Sequence, residues 1–167
     1  MIHLGKVTVN IGVGTAGEPL EKAEKLLEKL CGQKPVRTLS KSRIPGWGIR
    51  LKQQIGVKVT MRGAKAKEFV EKAILAKEGK LSAKQFDQNG NFAFGIAEYI
   101  DIPGVKYDPE IGIYGFDVCV TLEKDGYRVH RRKRMKRSVP ASHRLTKAEA
   151  IDWVQKNLKI QVTQDAE

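Results

Sequence analysis

Residues 6–17 read KVTVNIGVGTAG, and the two halves of that stretch point to two different folds. The second half, GVGTAG at 12–17, has the G-x-G-x-x-G spacing that joins strand to helix in dinucleotide-binding domains. The first half alternates. Val7, Val9, Ile11 and Val13 fall on one face, and Lys6, Thr8, Asn10 and Gly12 on the other. A dinucleotide-binding strand is buried on both faces and reads as a continuous apolar run, whereas alternation marks a strand with one wet face. The dinucleotide fold also needs an acid about 20 residues further on to hold a ribose. The chain has Lys34-Pro35-Val36-Arg37 there. The alternation therefore decides the reading: a half-buried strand of the antiparallel kind, followed by a glycine-rich turn.

The same rule extends along the chain. Pro19 opens a helix running to about Leu30, with Leu20, Ala23, Leu27 and Leu30 as its apolar stripe and Cys31-Gly32 as its end. Residues 34–39 suit a short strand. Residues 55–61 alternate again, with Val57, Val59 and Met61 inward and Lys58 and Thr60 outward. A helix follows over about 64–76, with Phe69, Val70, Ala73 and Ile74 on its core side. Two weaker strand candidates flank Asn89-Gly90 within 86–100. Residues 116–122, FDVCVTL, make a third clear strand; Lys124-Asp125-Gly126 then predicts a tight turn with YRVHRR as hairpin partner. The last helix starts at Thr146, where Thr146 and Glu149 form a capping box, Leu145 and Ala150 a staple, and Ile151, Val154 and Leu158 the core side. Trp153 is expected in the core. The sum is an α+β fold, a mostly antiparallel sheet with helices packed on one face. The other face is left open and carries Lys6, Thr8, Asn10, Lys58 and Thr60.

The chain has 167 residues, enough for one compact domain spanning 1–167. Nothing in it reads as a signal peptide or a membrane span, so a soluble intracellular protein with no membrane partner is expected. Cys31 and Cys119 are far apart and are expected to be buried thiols. His3, His130 and His143 have no ligand-like spacing to them, so no metal and no cofactor is expected. No nucleophile–base pair stands out, and no catalysis or small-molecule substrate is expected.

The net charge is +12, which calls for a polyanionic partner. Its distribution is more telling. Residues 34–65 hold nine basic residues and no acid, and residues 124–144 hold nine basic residues and one acid, Asp125. Between them, residues 98–123 hold six acids and only Lys106 as a base. Two nearly acid-free stretches point to nucleic acid. The first contains KSRIPGWGIRLKQQIG, 41–56, a protruding basic loop with an aromatic between two glycines. Arg43, Arg50 and Lys52 can reach phosphates there, and Trp47 offers a stacking face. The second contains RRKRMKR, 131–137, where Arg131, Arg132, Lys133, Arg134, Lys136 and Arg137 suit phosphate contacts on a large RNA or a nuclear import signal.

VNIGVG, GQKPVRTLSKSR, IGVKVTMRG and FDQNGNFAFGIAEYIDIPGVKYDPEIGIYGFDV together resemble the large-subunit ribosomal protein family called L-five, over about residues 3–163. The ending HRLTKAEAIDWVQ resembles its archaeal and eukaryotic branch, and the chain length the archaeal one. The resemblance implies an RNA-recognition-like sandwich that binds 5S rRNA and attaches it to the large rRNA in the central protuberance. It implies neighbouring large-subunit proteins as partners, and contact between the long loop and peptidyl-site tRNA. By the same resemblance, Asn10, Gln33 and Thr60 contact 5S rRNA, with Thr8 and Lys58 beside them on the open face. Trp47 and Arg50 match the loop motif. Two other classes stay open at this level: a free-standing RNA chaperone using the same patches, and a nucleotide-dependent enzyme using GVGTAG.

Overall fold

The computed structural model describes residues 1–158 and 160–163. In chain order the elements are β1 (Ile2–Gly12), α1 (Glu18–Cys31), β2 (Val36–Leu39), β3 (Gln54–Met61), α2 (Gly63–Ala76), β4 (Lys80–Ser82), β5 (Phe92–Ile96), β6 (Phe116–Lys124), α3 (Arg128–Arg131), α4 (Lys147–Leu158) and β7 (Gln161–Thr163). Five strands form a sheet in the order β2-β3-β1-β6-β5. The pair β2–β3 is antiparallel, with Val36 opposite Lys58 and Thr38 opposite Gly56. A second, small sheet pairs β4 with β7 in parallel. The α+β class and the mostly antiparallel main sheet agree with the alternation in the sequence.

The chain forms two compact units. One comprises Thr8–Met61 and Gly95–Val118, the other Met1–Val7, Arg62–Phe94 and Cys119–Glu167. In the first, α1 packs on β3. Leu20, Ala23, Leu26 and Leu27 of the helix are buried, as are Val9, Ile11, Val57, Val59 and Met61 of the strands. Pro19 stands at the start of α1, and Gly32 ends it in a left-handed conformation at φ 60°. Burying each of the Leu, Val, Ile and Met side chains stabilises by about 1.5–3 kcal/mol. Gly56 is needed where β3 meets β1: a Cβ there would stand 2.8 Å from the Ile11 carbonyl oxygen.

The second unit buries Phe69, Val70, Ala73 and Ile74 of α2, Phe92 and Phe94 of β5, Leu122 of β6, and Ala150 and Val154 of α4. The α4 capping box forms as expected, with the Thr146 N–H donating to Glu149 Oε2 at 3.0 Å and the Glu149 N–H to Thr146 Oγ1 at 3.4 Å. Trp153 is only half-buried; its indole N–H donates to the Ile2 carbonyl at 3.1 Å.

Three expectations need correction. Residues 127–132 are not the hairpin partner of β6. They hold the single helical turn α3, because the Leu145 N–H takes the Tyr127 hydroxyl as acceptor at 2.8 Å and Arg131 turns back to Glu123. Of the two strands sought around Asn89-Gly90, β5 forms, but Phe86 contributes only an isolated bridge to Phe92. Cys31 is buried, but Cys119 is exposed, since alternation within β6 puts it on the face opposite Val118 and Val120.

Candidate nucleic-acid interface

The open sheet face lies within the first unit. Along β1, Thr8 and Asn10 are half-buried and alternate with fully buried Val9 and Ile11. Along the adjacent β3, Lys58 and Thr60 are exposed between buried Val57, Val59 and Met61. Neighbouring strands pleat together, so these four polar side chains share one face. Among the described residues, none of the four makes a side-chain hydrogen bond or ion pair. Exposed or half-exposed, these donors and acceptors are open to solvent or to a partner outside the fold.

Two further residues on this face escaped the sequence reading. Thr38 lies opposite Gly56 on the short strand β2, whose four residues are too few for alternation to be recognised. Asp117 of β6 is exposed and alternates with buried Phe116 and Val118. An acid on this face disfavours phosphate and favours hydroxyls or base amino groups, which donate to it. Gln33 stands apart from the sheet, half-buried just after the α1 cap, and has no side-chain partner among the described residues.

The basic loop is more ordered than its sequence implies. Its base is closed by the Ser40 N–H donating to the Gln53 carbonyl at 2.8 Å and the Lys52 N–H to the Ser40 carbonyl at 3.0 Å. Near the tip, Ile44 and Ile49 exchange two backbone hydrogen bonds at 2.9 and 3.1 Å. Pro45–Trp47 form one turn of 3₁₀ helix, and Gly48 closes it at φ 66°, a left-handed conformation that glycine adopts without strain. Ile49 is buried beneath, whereas Trp47 at the apex is 77% exposed. Trp47 is thus held out on a built turn and is not folded back as a lid on the core. Arg43, Arg50 and Lys52 surround it, all exposed. The last residues of the stretch, Gln54–Gly56, belong to β3.

The glycine-rich turn finds its place here. A cleft of about 540 Å³ is lined by Ala16 on one side and by Gly48, Arg50, Leu51, Lys52 and Gln53 on the other. GVGTAG thus borders the cationic loop. The first turn of α1 behind it carries Glu18 and Glu21, which oppose an anion at that helix end.

Not every cation of the two basic stretches is available. Arg37 is held by Glu24 at 2.7 Å and by Gln54 at 3.0 Å. In the second unit, Arg131 donates to Glu123 at 2.6 Å, and the Arg132 Nε–H donates to the Met135 carbonyl at 2.9 Å. Arg131 and Arg132 are therefore anchors of the basic run, while Lys133, Arg134, Lys136 and Arg137 extend from it exposed and without side-chain partners among the described residues. In the acidic middle, Asp108 is paired with Lys29, whose ammonium holds its carboxyl below the usual carboxylate range. No group of three or more metal-ligating side chains occurs among the described residues, and no helix among them is long and apolar enough to cross a membrane.

The sequence is similar to those of known proteins. Residues 1–50 match the family described as Ribosomal protein L5, and residues 54–153 match the C-terminus of that same ribosomal family. The chain is 53% identical over 166 residues to the large ribosomal subunit protein uL5 of Methanococcus maripaludis strain S2, covering 98% of this chain and 92% of that one. It is 48% identical over 159 residues to the uL5 of Methanosphaera stadtmanae, covering 95% of each. With both parts of the family matched in order, the chain belongs to the ribosomal protein L5 family, a structural family of the ribosome and not a family of enzymes.

Proposed function

We propose that the chain is a cytoplasmic constituent of the large ribosomal subunit that binds 5S rRNA and attaches it to the large rRNA in the central protuberance. The observation that carries this reading is the open face of β1 and β3. Thr8, Asn10, Lys58 and Thr60 are aligned there and unengaged within the fold. Uncharged hydroxyls and an amide beside one lysine suit the shallow minor groove of RNA, where 2′-hydroxyls and base edges are displayed. Gln33 adds a further amide contact to 5S rRNA. The basic run Lys133–Arg137 neutralises phosphates of the large rRNA. The loop tip, with Trp47 to stack and Arg43, Arg50 and Lys52 to hold phosphates, reaches the peptidyl-site tRNA as a second contact. Neighbouring large-subunit proteins complete the surroundings. The mechanism is binding without chemistry.

A salt titration of the purified protein against labelled 5S rRNA, with a tRNA of matched length as control, tests the proposal. Phosphate contacts release counterions and weaken steeply with salt, while shape and hydroxyl contacts do not. A saturable 5S complex that outlasts the tRNA complex as salt rises is expected. Equal loss of both would overturn specific 5S recognition and leave an RNA chaperone.

A further inference from the structure

The second unit contains a cleft that this function does not use. It measures about 360 Å³ and lies between the Asn89 turn, the end of β6 and the segment leading from the basic run to α4. That volume falls within the range of ~300–1,000 Å³ typical of small-ligand sites. Its walls differ from the rest of the cationic surface. Asn89, Thr121 and Ser138 supply an amide and two hydroxyls, each able to donate and to accept. None of these three engages another described residue through its side chain.

Three of the remaining walls, Tyr127, Arg144 and Glu123, are held by partners. Tyr127 accepts from the Leu145 N–H at 2.8 Å, and its ring meets His143 edge-on at 6.0 Å. Arg144 donates its Nε–H to the Val139 carbonyl at 3.2 Å, which leaves its terminal nitrogens for an outside partner. The Glu123 side chain, 9% exposed, is neutralised by Arg131 at 2.6 Å, so a polyanion meets no bare acid there. Gly5 makes that burial possible, since a Cβ on it would stand 2.7 Å from Glu123 Cδ.

A surface that binds only phosphates needs cations and no pocket. A pocket with an aromatic wall, paired donors and acceptors and a free guanidinium at its rim matches a nucleobase carrying its phosphate. We propose that this cleft receives one unstacked ribonucleotide of the ribosomal RNA, its base edge read by Asn89, Thr121 and Ser138 and its phosphate held by Arg144. The inference rests on the ribosomal reading above. The nucleotide comes either from 5S rRNA or from the large rRNA, and the test separates the two.

Large subunits are reconstituted with the full chain or with Thr121→Val, Ser138→Ala or the double variant. Base edges of both RNAs are then probed with dimethyl sulfate, carbodiimide and kethoxal. Thr121→Val preserves side-chain shape, and Ser138 is exposed, so folding is not at stake in either. Each lost hydrogen bond shifts docking by roughly two- to tenfold. The expected result is one unpaired base, protected by the wild-type chain, whose reactivity rises several-fold in the variants. Protections around the basic run stay unchanged, and the RNA bearing that base identifies the source. Identical footprints for wild type and the double variant would overturn the pocket while leaving the ribosomal reading intact. Failure of the wild-type chain to enter the subunit would overturn both.

Discussion

Replacing Thr8 and Thr60 together by valine removes two hydroxyls from the open face and little else. Valine keeps the β-branched shape that suits a strand. Neither hydroxyl has a partner within the described fold, so no donor or acceptor is orphaned. The flanking core residues Val9, Val59 and Met61 are untouched. Stability should therefore move by no more than about 0.5 kcal/mol. If each hydroxyl meets RNA, each loss costs about 0.5–1.5 kcal/mol of binding. Together the two changes cost about 1–3 kcal/mol, or roughly 5- to 150-fold in Kd. The salt slope should not change, because no charge is removed. Lys58→Gln should behave differently: a smaller loss at high salt, and a slope shallower by about 0.7–0.9 for the one cation. Filter binding to 5S rRNA at four salt concentrations, with thermal melts of each variant, separates these outcomes. A double valine variant that melts like wild type and binds within twofold of it at every salt would refute the sheet-face interface.

Other consequences can be measured on the same protein. Deleting 44–49 should spare 5S binding, because the Ser40–Gln53 and Lys52–Ser40 hydrogen bonds close the loop below the cut; loss of the 5S complex in a binding assay would put the tip in the primary site. Lys124, first, and the Thr146 N–H pull the Glu149 carboxyl from its ordinary 4.5 down to about 2. A lowered acid stabilises the fold above its unfolded value and loses that contribution as pH falls through its folded one. The melting difference between wild type and Glu149→Gln should thus be full above pH 4.5 and vanish towards pH 2. Iodoacetamide should label exposed Cys119 in the native protein and spare Cys31, whose thiol burial pushes up to about 12; mass spectrometry of the labelled chain reads both. Gly5→Ala should cost about 1–3 kcal/mol in chemical denaturation by crowding Glu123.

Much of the fold was legible because its strands are one-sided. The alternation over 6–13 and 55–61 placed Thr8, Asn10, Lys58 and Thr60 on the open face, where the structure has them. It also separated GVGTAG from a dinucleotide site. What stayed hidden depended on distant partners. YRVHRR alternates like a strand, yet Tyr127 is claimed from Leu145 and Arg131 by Glu123, 18 and 8 residues away. The β4–β7 pair joins residues about 80 apart through three-residue strands. Gly90 reads as a hairpin glycine, but a Cβ there would stand 2.6 Å from the buried Leu145 side chain, so packing constrains it as much as its turn does. The exposure of Cys119 was within reach: FDVCVTL sets it opposite Val118 and Val120. The general tendency of thiols to be buried prevailed over the pattern of that strand.

The charge of the chain also looks different once folded. A net +12 counts every cation equally, but the fold engages them selectively. Arg37 in β2, Lys124 at the end of β6 and Arg131 in α3 are each paired with an acid from the same unit. Arg43, Arg50 and Lys52 in the loop, and Lys133, Arg134, Lys136 and Arg137 in the run, are not. The paired cations help to hold their own unit together, and the unpaired ones, Lys58 on β3 included, stay available to an anionic partner. Phosphate contacts orient a protein on RNA without distinguishing one sequence from another. In the proposed 5S complex, discrimination therefore rests on uncharged groups, and Thr8, Asn10 and Thr60 among them lie on strands, where a side chain is held to a position that a flexible lysine cannot keep.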